Sequence, residues 1–219
     1  SFDLKKAPLF RVELVENKEK TYLLIDMHHI ISDGVSMGIL INEFAELYNG
    51  GSLKPLKLQY KDFTAWQNTF LKSEEIKKQE KYWINRFSDE VPVLNMPNDY
   101  ERPVLKSFEG ESVEFKINKN LTKELRSLTQ RMGMTMHMLL LSAFNILLSK
   151  YTGQEDIVIG TPIAGRPHID LQNIVGMFVN TLALRNKPEG DKKYIDFLKE
   201  VRENSLKAYE NQSYQIEDL

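Results

Sequence analysis

The chain has 219 residues, 42% hydrophobic and 27% charged, proportions that suit a globular protein with a real core. Its 29 lysines and arginines stand against 31 aspartates and glutamates, so no net basic field draws nucleic acid. No apolar run approaches the ~20 residues of a bilayer span, the first residues lack a basic-then-apolar leader pattern, and there is no cysteine to form a disulfide or act as a thiol nucleophile. A cytoplasmic setting fits this composition, with no membrane or nucleic-acid partner.

In chain order, residues 9–15 alternate as a strand and turn through Glu16-Asn17-Lys18-Glu19 into a second strand at 22–27, giving a hairpin. Asp33 or Ser36 can cap the helix that follows, with Ile39, Leu40, Phe44 and Leu47 on its apolar face and Gly50-Gly51 at its end. Two shorter helices are expected over 61–71 and 74–87, the second capped by Ser73 and burying Trp83. Tyr60 and Trp66 fall on the apolar side of the first, as core residues. The stretch 91–106, with Pro92, Pro97 and Pro103 among Asn95, Asn98 and Asp99, is the expected boundary between two lobes.

Beyond it a strand is expected at 111–117, then a helix from about Asn120 to Gly133 and a longer one from a Thr135 cap to Lys150, stopped at Gly153. The apolar run 156–160 reads as a strand covered on both faces, 177–184 as another strand, and 194–209 as an amphipathic helix. Strands mixed with helices in two lobes indicate an α/β (α+β sandwich) protein.

Chemistry concentrates in Met27-His28-His29-Ile30-Ile31-Ser32-Asp33-Gly34, at the junction between strand and helix. Adjacent side chains on extended backbone point to opposite faces. If extended backbone persists through the pair, one of His28 and His29 faces a cleft while the other holds the loop; a pair that is simply packed and hydrogen-bonded is the alternative. Chelation of a metal by both is disfavoured by the same geometry, and no further ligands complete a shell: His137 lies in an apolar helical run and His168 in a polar loop. His137 reads as a satisfied buried or cap-proximal residue, His168 as a solvated one. Lys77, Lys78 and Lys81 read as a solvent face.

His28-His29-Ile30-Ile31-Ser32-Asp33-Gly34 resembles the His-His-x-x-x-Asp-Gly signature of condensation domains from nonribosomal peptide synthetases. Three more tracts fall in that family's order. Tyr60-Lys61-Asp62-Phe63-Thr64-Ala65-Trp66 is similar to its Tyr-x-Asp-Phe/Tyr-Ala-x-Trp element, with Thr64 inserted. Gly176-Met177-Phe178-Val179-Asn180-Thr181 matches Gly-x-Phe-Val-Asn-Thr closely. Asn211-Gln212-Ser213-Tyr214-Gln215-Ile216-Glu217 is a looser copy of Gln-Asp-x-Pro-Phe-Glu, with Ser213 and Gln215 replacing Asp and Pro.

The resemblance implies a chloramphenicol acetyltransferase-like, two-lobed, V-shaped fold, incomplete at both ends. Residues 1–100 would form the C-terminal part of the first lobe and carry the histidine motif, and residues 101–219 the N-terminal part of the second. It implies an amide-forming acyltransferase of antibiotic biosynthesis, joining a donor acyl or peptidyl thioester to the amine of an acceptor aminoacyl thioester. Both substrates ride on the phosphopantetheine of upstream and downstream peptidyl carrier domains, with an adenylation domain alongside, and the domain itself holds no cofactor or metal. His29 maps onto the tunnel-facing catalytic histidine; an imidazole, with an ordinary pKa near ~6.5, can take or share the amine's proton. His28 and Asp33 are structural at the site, Asp33 paired with Arg166. Gly34 allows tight backbone passage because a Cβ would intrude, and Asn180, placed at the substrate tunnel, either hydrogen-bonds substrate or closes a gap at the strand edge. The fragment by itself is expected to be inactive.

Related enzymes provide the alternatives. Epimerization domains share the histidine string but carry Glu-Gly-His-Gly-Arg and Gly-Trp-Phe-Thr tracts, where this chain has Ile163-Ala164-Gly165-Arg166 and Gly176-Met177-Phe178-Val179. Heterocyclizing relatives have aspartates in place of both histidines, and coenzyme A-dependent acyltransferases have a single histidine. For the isolated piece, a non-catalytic module that docks carrier domains is a further alternative.

Overall fold

The protein is described by a computed structural model over residues 1–101, 103–105 and 107–219; Lys106, the last residue of the expected boundary, lies outside the described residues. Among the described residues, α-helices and strands follow one another as β1 (Phe10–Glu16), β2 (Thr21–Met27), α1 (Gly34–Tyr48), α2 (Tyr60–Phe70), α3 (Glu74–Arg86), α4 (Lys119–Met132), α5 (Met136–Thr152), β3 (Ile157–Ile163), β4 (Asn180–Asn186) and α6 (Tyr194–Glu210). Several helices are closed by the residues expected to close them. Asp33 caps α1 through Ser36 N–H. Thr135 caps α5 through Met138 N–H, and Gly133 and Gly153 end α4 and α5 in left-handed conformation. Helix α4 starts from an Asn118 cap, two residues before the expected Asn120.

β1 and β2 pair antiparallel from Phe10↔Met27 to Glu16↔Thr21. The Asn17 Oδ1 accepts the N–H groups of Glu19 and Lys20 and closes the turn. A second two-stranded sheet joins β3 to β4. The expected strand at 111–117 does not form among the described residues. Alternation is present in Val113, Phe115 and Ile117, but no strand edge pairs with it, and Val113 and Phe115 stay exposed. A strand exists only through its ladder, and sequence alternation supplies just the side-chain half of that requirement.

The chain divides into two compact units, interleaved in sequence. One comprises Ser1–Glu80, Pro162–Thr181 and Ser213–Asp218; the other comprises Lys81–Thr161, Leu182–Gln212 and Leu219. In the first unit the core is Phe63, Leu171, Ile174 and Phe178, with Leu58 and Tyr60 packed against it. Segment 162–181 thus supplies three of the four buried residues that close over α2.

In the second unit α5 packs on α4 and α6. Met138, Leu139, Leu141 and Leu148 of α5 and Phe197, Leu198 and Val201 of α6 are buried, as are Ile157, Leu182 and Leu184 of the sheet. Trp83 is buried as expected, its indole N–H donating to Asn211 O at 2.9 Å. Among the described residues no single helix is long and apolar enough to cross a membrane.

Candidate active site

Strand β2 ends at Met27, and the chain then makes a single 3-10 turn, His29–Ile31, before α1. His28 builds that turn. Its backbone N–H donates to Leu9 O at 3.0 Å, its Nδ1 accepts Ile30 N–H at 3.1 Å, and its ring meets Phe2 edge-on. His29 is exposed. It opens onto a pocket of about 330 Å³, with Ile25, Met27 and Met37 as the apolar wall and Asp26, Ser32, Asp33 and Gly34 completing it. The two imidazoles are separated: His28 is spent on the turn, and His29 faces open space.

Behind the pocket lies a dry polar knot within the same unit. Asp33 and Arg166 have no side-chain exposure. Arg166 Nη2 donates to both Asp33 oxygens, at 3.0 and 3.1 Å, while Nη1 donates to Leu171 O and Ile174 O. The guanidinium lies 3.9 Å above the Phe178 ring. Burial alone would raise the Asp33 pKa; hydrogen bonds from Ser36 N–H and Oγ–H, Phe178 N–H and Arg166 outweigh it and leave the carboxyl below its ordinary value. A buried ion pair is tolerable only with its lone pairs and protons largely satisfied: both Asp33 oxygens and both Arg166 terminal nitrogens are engaged, and only Arg166 Nε of this pair is left without a hydrogen-bond partner among the described residues.

Ser36, fully buried one turn into α1, completes the knot. Its Oγ lies 2.8 Å from Asp33 Oδ1 and 2.9 Å from Gly176 O, and accepts Gly176 N–H at 3.0 Å. Tyr60 OH donates to Met177 O at 2.7 Å, and its ring stands edge-on to Phe178. Desolvation, then the nearby Asp33 charge, raises the pKa of that hydroxyl, so it stays protonated as a donor. The histidine, tyrosine and Gly-x-Phe tracts are therefore packing partners of one another.

Gly34 needs correction. A Cβ placed there meets nothing within 4 Å, so no close backbone passage demands glycine. The tight glycines are elsewhere. Gly165, at φ +63°, would put a Cβ 1.8 Å from Phe178 O, and Gly176 would put one 2.2 Å from the Tyr60 ring. These two let segment 162–181 lie against itself and α2.

Asn180 is buried, with Nδ2 donating to Tyr214 O at 3.1 Å and Oδ1 accepting Thr181 N–H at 2.8 Å. Its amide ties the start of β4 to the last described turn of its unit. Trp66 is 47% exposed, not core: Phe63 takes the buried position on α2, and Trp66 stacks on Phe70 at the rim of a 480 Å³ apolar pocket with Leu58 and Pro167. His137 is exposed in the first turn of α5, and His168 is exposed with its Nδ1 accepting Asp170 N–H. Lys77 and Lys78 pair with Glu74 and Glu75 in solvent. Among the described residues no cluster of three or more His, Cys, Asp or Glu could hold a metal.

Among the buried polar residues without an expectation from sequence is an arginine. Arg185, in the second unit, donates to both oxygens of Asp156, to Asp89 at 2.5 Å and to the carbonyls of Arg86 and Glu90. Its position four residues beyond the Gly-x-Phe-Val-Asn-Thr tract, a charge after alternating apolar residues in a buried strand, was the available signal.

A family model described as "Condensation domain" matches residues 1–219. The chain is 56% identical over its full length to bacitracin synthase 3 of Bacillus licheniformis and 55% identical to tyrocidine synthase 3 of Brevibacillus parabrevis, spanning 3% of each. Among solved structures it superposes on the X-domain from teicoplanin biosynthesis with a TM-score of 0.85 and 25% identity, over 99% of this chain and 51% of that one. A four-domain nonribosomal peptide synthetase bound to AMP and glycine gives 0.84 and 26%, over 98% of this chain and 16% of that one. The fold is the mixed α/β, chloramphenicol acetyltransferase-like fold of these domains. Matched from its first residue to its last, the chain belongs to the condensation-domain family of nonribosomal peptide synthetases.

Proposed function

We propose that this chain carries the active-site histidine of an amide-forming condensation reaction. The observation that carries the reading is His29, exposed on a turn fixed by His28 at one end and by the Asp33–Arg166 knot at the other, and opening onto a pocket. In this reading the acceptor's amine nitrogen attacks the donor's thioester carbonyl. A tetrahedral oxyanion forms and collapses, the C–S bond breaks and the donor thiolate leaves. The amine must shed one proton, and His29 takes or shares it. Thioesters are activated acyl groups, so positioning supplies much of the rate.

His28, Asp33 and Arg166 hold the turn. Gly34 leaves room in the pocket wall, and Asn180, tied to Tyr214 O and Thr181 N–H, holds the start of β4 beside the substrate path. Residues 1–100 belong to the first lobe of the family domain in this reading and 101–219 to the second. Substrates come on the phosphopantetheine arms of upstream and downstream carrier domains, next to an adenylation domain, in the cytoplasm.

The test uses the multidomain protein carrying this sequence, with donor- and acceptor-loaded carriers. Mass spectrometry follows the acceptor carrier for the mass of the new amide. Formation in wild type and at least a hundredfold loss in His29→Ala, with its melting temperature kept, is the expected result (about 10²–10⁴-fold for a positioned acid–base group). No transfer by wild type with competent carriers would reject the reading. Epimerization is the second reading, since the epimerization domain of tyrocidine synthetase B shares the fold at a TM-score of 0.80 and 23% identity. The Gly176–Thr181 tract of this chain favours condensation over it.

A further inference from the structure

We infer that the hydroxyls of Ser36 and Tyr60 are positioning groups for the His29 site, acting through the backbone of residues 176–178; the inference rests on the proposed role of His29. These residues belong to no helix or strand, so no ladder satisfies their backbone groups. Side chains substitute for it one residue at a time. Ser36 Oγ engages both N–H and C=O of Gly176, Tyr60 OH takes Met177 C=O, and Asp33 Oδ2 takes Phe178 N–H.

Ser36 has one proton and two acceptors within 2.9 Å, Asp33 Oδ1 and Gly176 O. The hydroxyl therefore couples the strip directly to Asp33, four residues after His29. A strip held in this way moves with its anchors. Loss of either hydroxyl frees a peptide group and relaxes Asp33 and the adjoining turn, and small misplacements of reacting groups are costly in rate. Merely satisfying buried polar groups would make the same bonds, but would leave turnover unchanged in a folded variant.

Ser36→Ala and Tyr60→Phe each remove a single oxygen and leave α1, the Tyr60 ring and its contact with Phe178 in place. They are compared with wild type and His29→Ala in the multidomain protein, measuring melting temperature together with kcat and KM for the loaded acceptor carrier. Both variants are expected to melt within a few degrees of wild type and to lose about tenfold in kcat, with KM within about twofold. The double variant is expected to lose less than the product of the two, because both hydroxyls hold one strip. An active wild type and an inactive His29→Ala beside unchanged kcat in both hydroxyl variants overturns this inference alone. A kcat that falls only in step with the unfolded fraction overturns it too. A wild type that forms no amide removes the reading of the site, and this inference with it.

Discussion

Asp33 takes hydrogen bonds from Ser36, Arg166 and Phe178 with its side chain wholly out of water. Removing one member of such a pair leaves the other charge buried and alone, so Asp33→Ala should cost about 3–5 kcal/mol. Urea unfolding reads that loss, and a change below about 1 kcal/mol would contradict the account of the knot. The depressed pKa gives the pH dependence. The folded carboxyl titrates below its unfolded value, near ~3.9, so its contribution is complete above that value and declines as pH falls through the folded pKa. The stability gap between wild type and Asp33→Asn should be flat from about pH 8 to 5 and shrink below about pH 4. A gap still unchanged at pH 3 would mean that the charge is not what stabilises the knot.

At the scale of elements, segment 162–181 reaches the core of its unit because two glycines let it. Gly165→Ala would force an alanine into left-handed backbone with its Cβ on Phe178 O. The conformation alone costs ~1–2 kcal/mol, and the backbone clash adds to it, so a loss above about 3 kcal/mol is expected. Gly34→Ala meets no neighbour and should leave stability unchanged or raise it by up to ~1 kcal/mol, since glycine is the poorer helix residue. If Gly34→Ala destabilises as much as Gly165→Ala, the assignment of the tight glycines is wrong. Any activity lost in a stable Gly34→Ala then reports on room in the pocket. Helix α2 has its own readout. Trp83 is 1% and Trp66 47% exposed, so acrylamide should quench one component of the tryptophan emission readily, and Trp66→Phe should abolish that component.

Across the whole molecule, what could be read from sequence was what is local. Caps at Asp33 and Thr135 and stops at Gly133 and Gly153 follow from backbone chemistry within a few residues. The Asp33–Arg166 pair, 133 residues apart, came only through family resemblance, because spacing has no bearing on so distant a partner. Ser36 as a bridge to Gly176, the hub at Arg185 and the exposure of Trp66 escaped for the same reason: each is fixed by which distant segment arrives. The missing strand at 111–117 is the converse case, local pattern without a partner. The hairpin shows what that costs. Its register puts Phe10, Val12 and Leu14 opposite Met27, Ile25 and Leu23 on one face, yet Val12 is 53% and Leu14 64% exposed. Two strands alone are marginal in water, and an exposed apolar face with open edges invites association. The 219-residue chain prepared by itself should therefore self-associate with rising concentration and bind a hydrophobic dye. Val12→Thr with Leu14→Lys should reduce both signals and leave the melting temperature nearly unchanged, because these side chains bury little. Sedimentation of the two chains side by side decides the matter: a wild-type chain that stays monomeric at high concentration, without dye binding, would show that this face is not the adhesive surface its exposure implies.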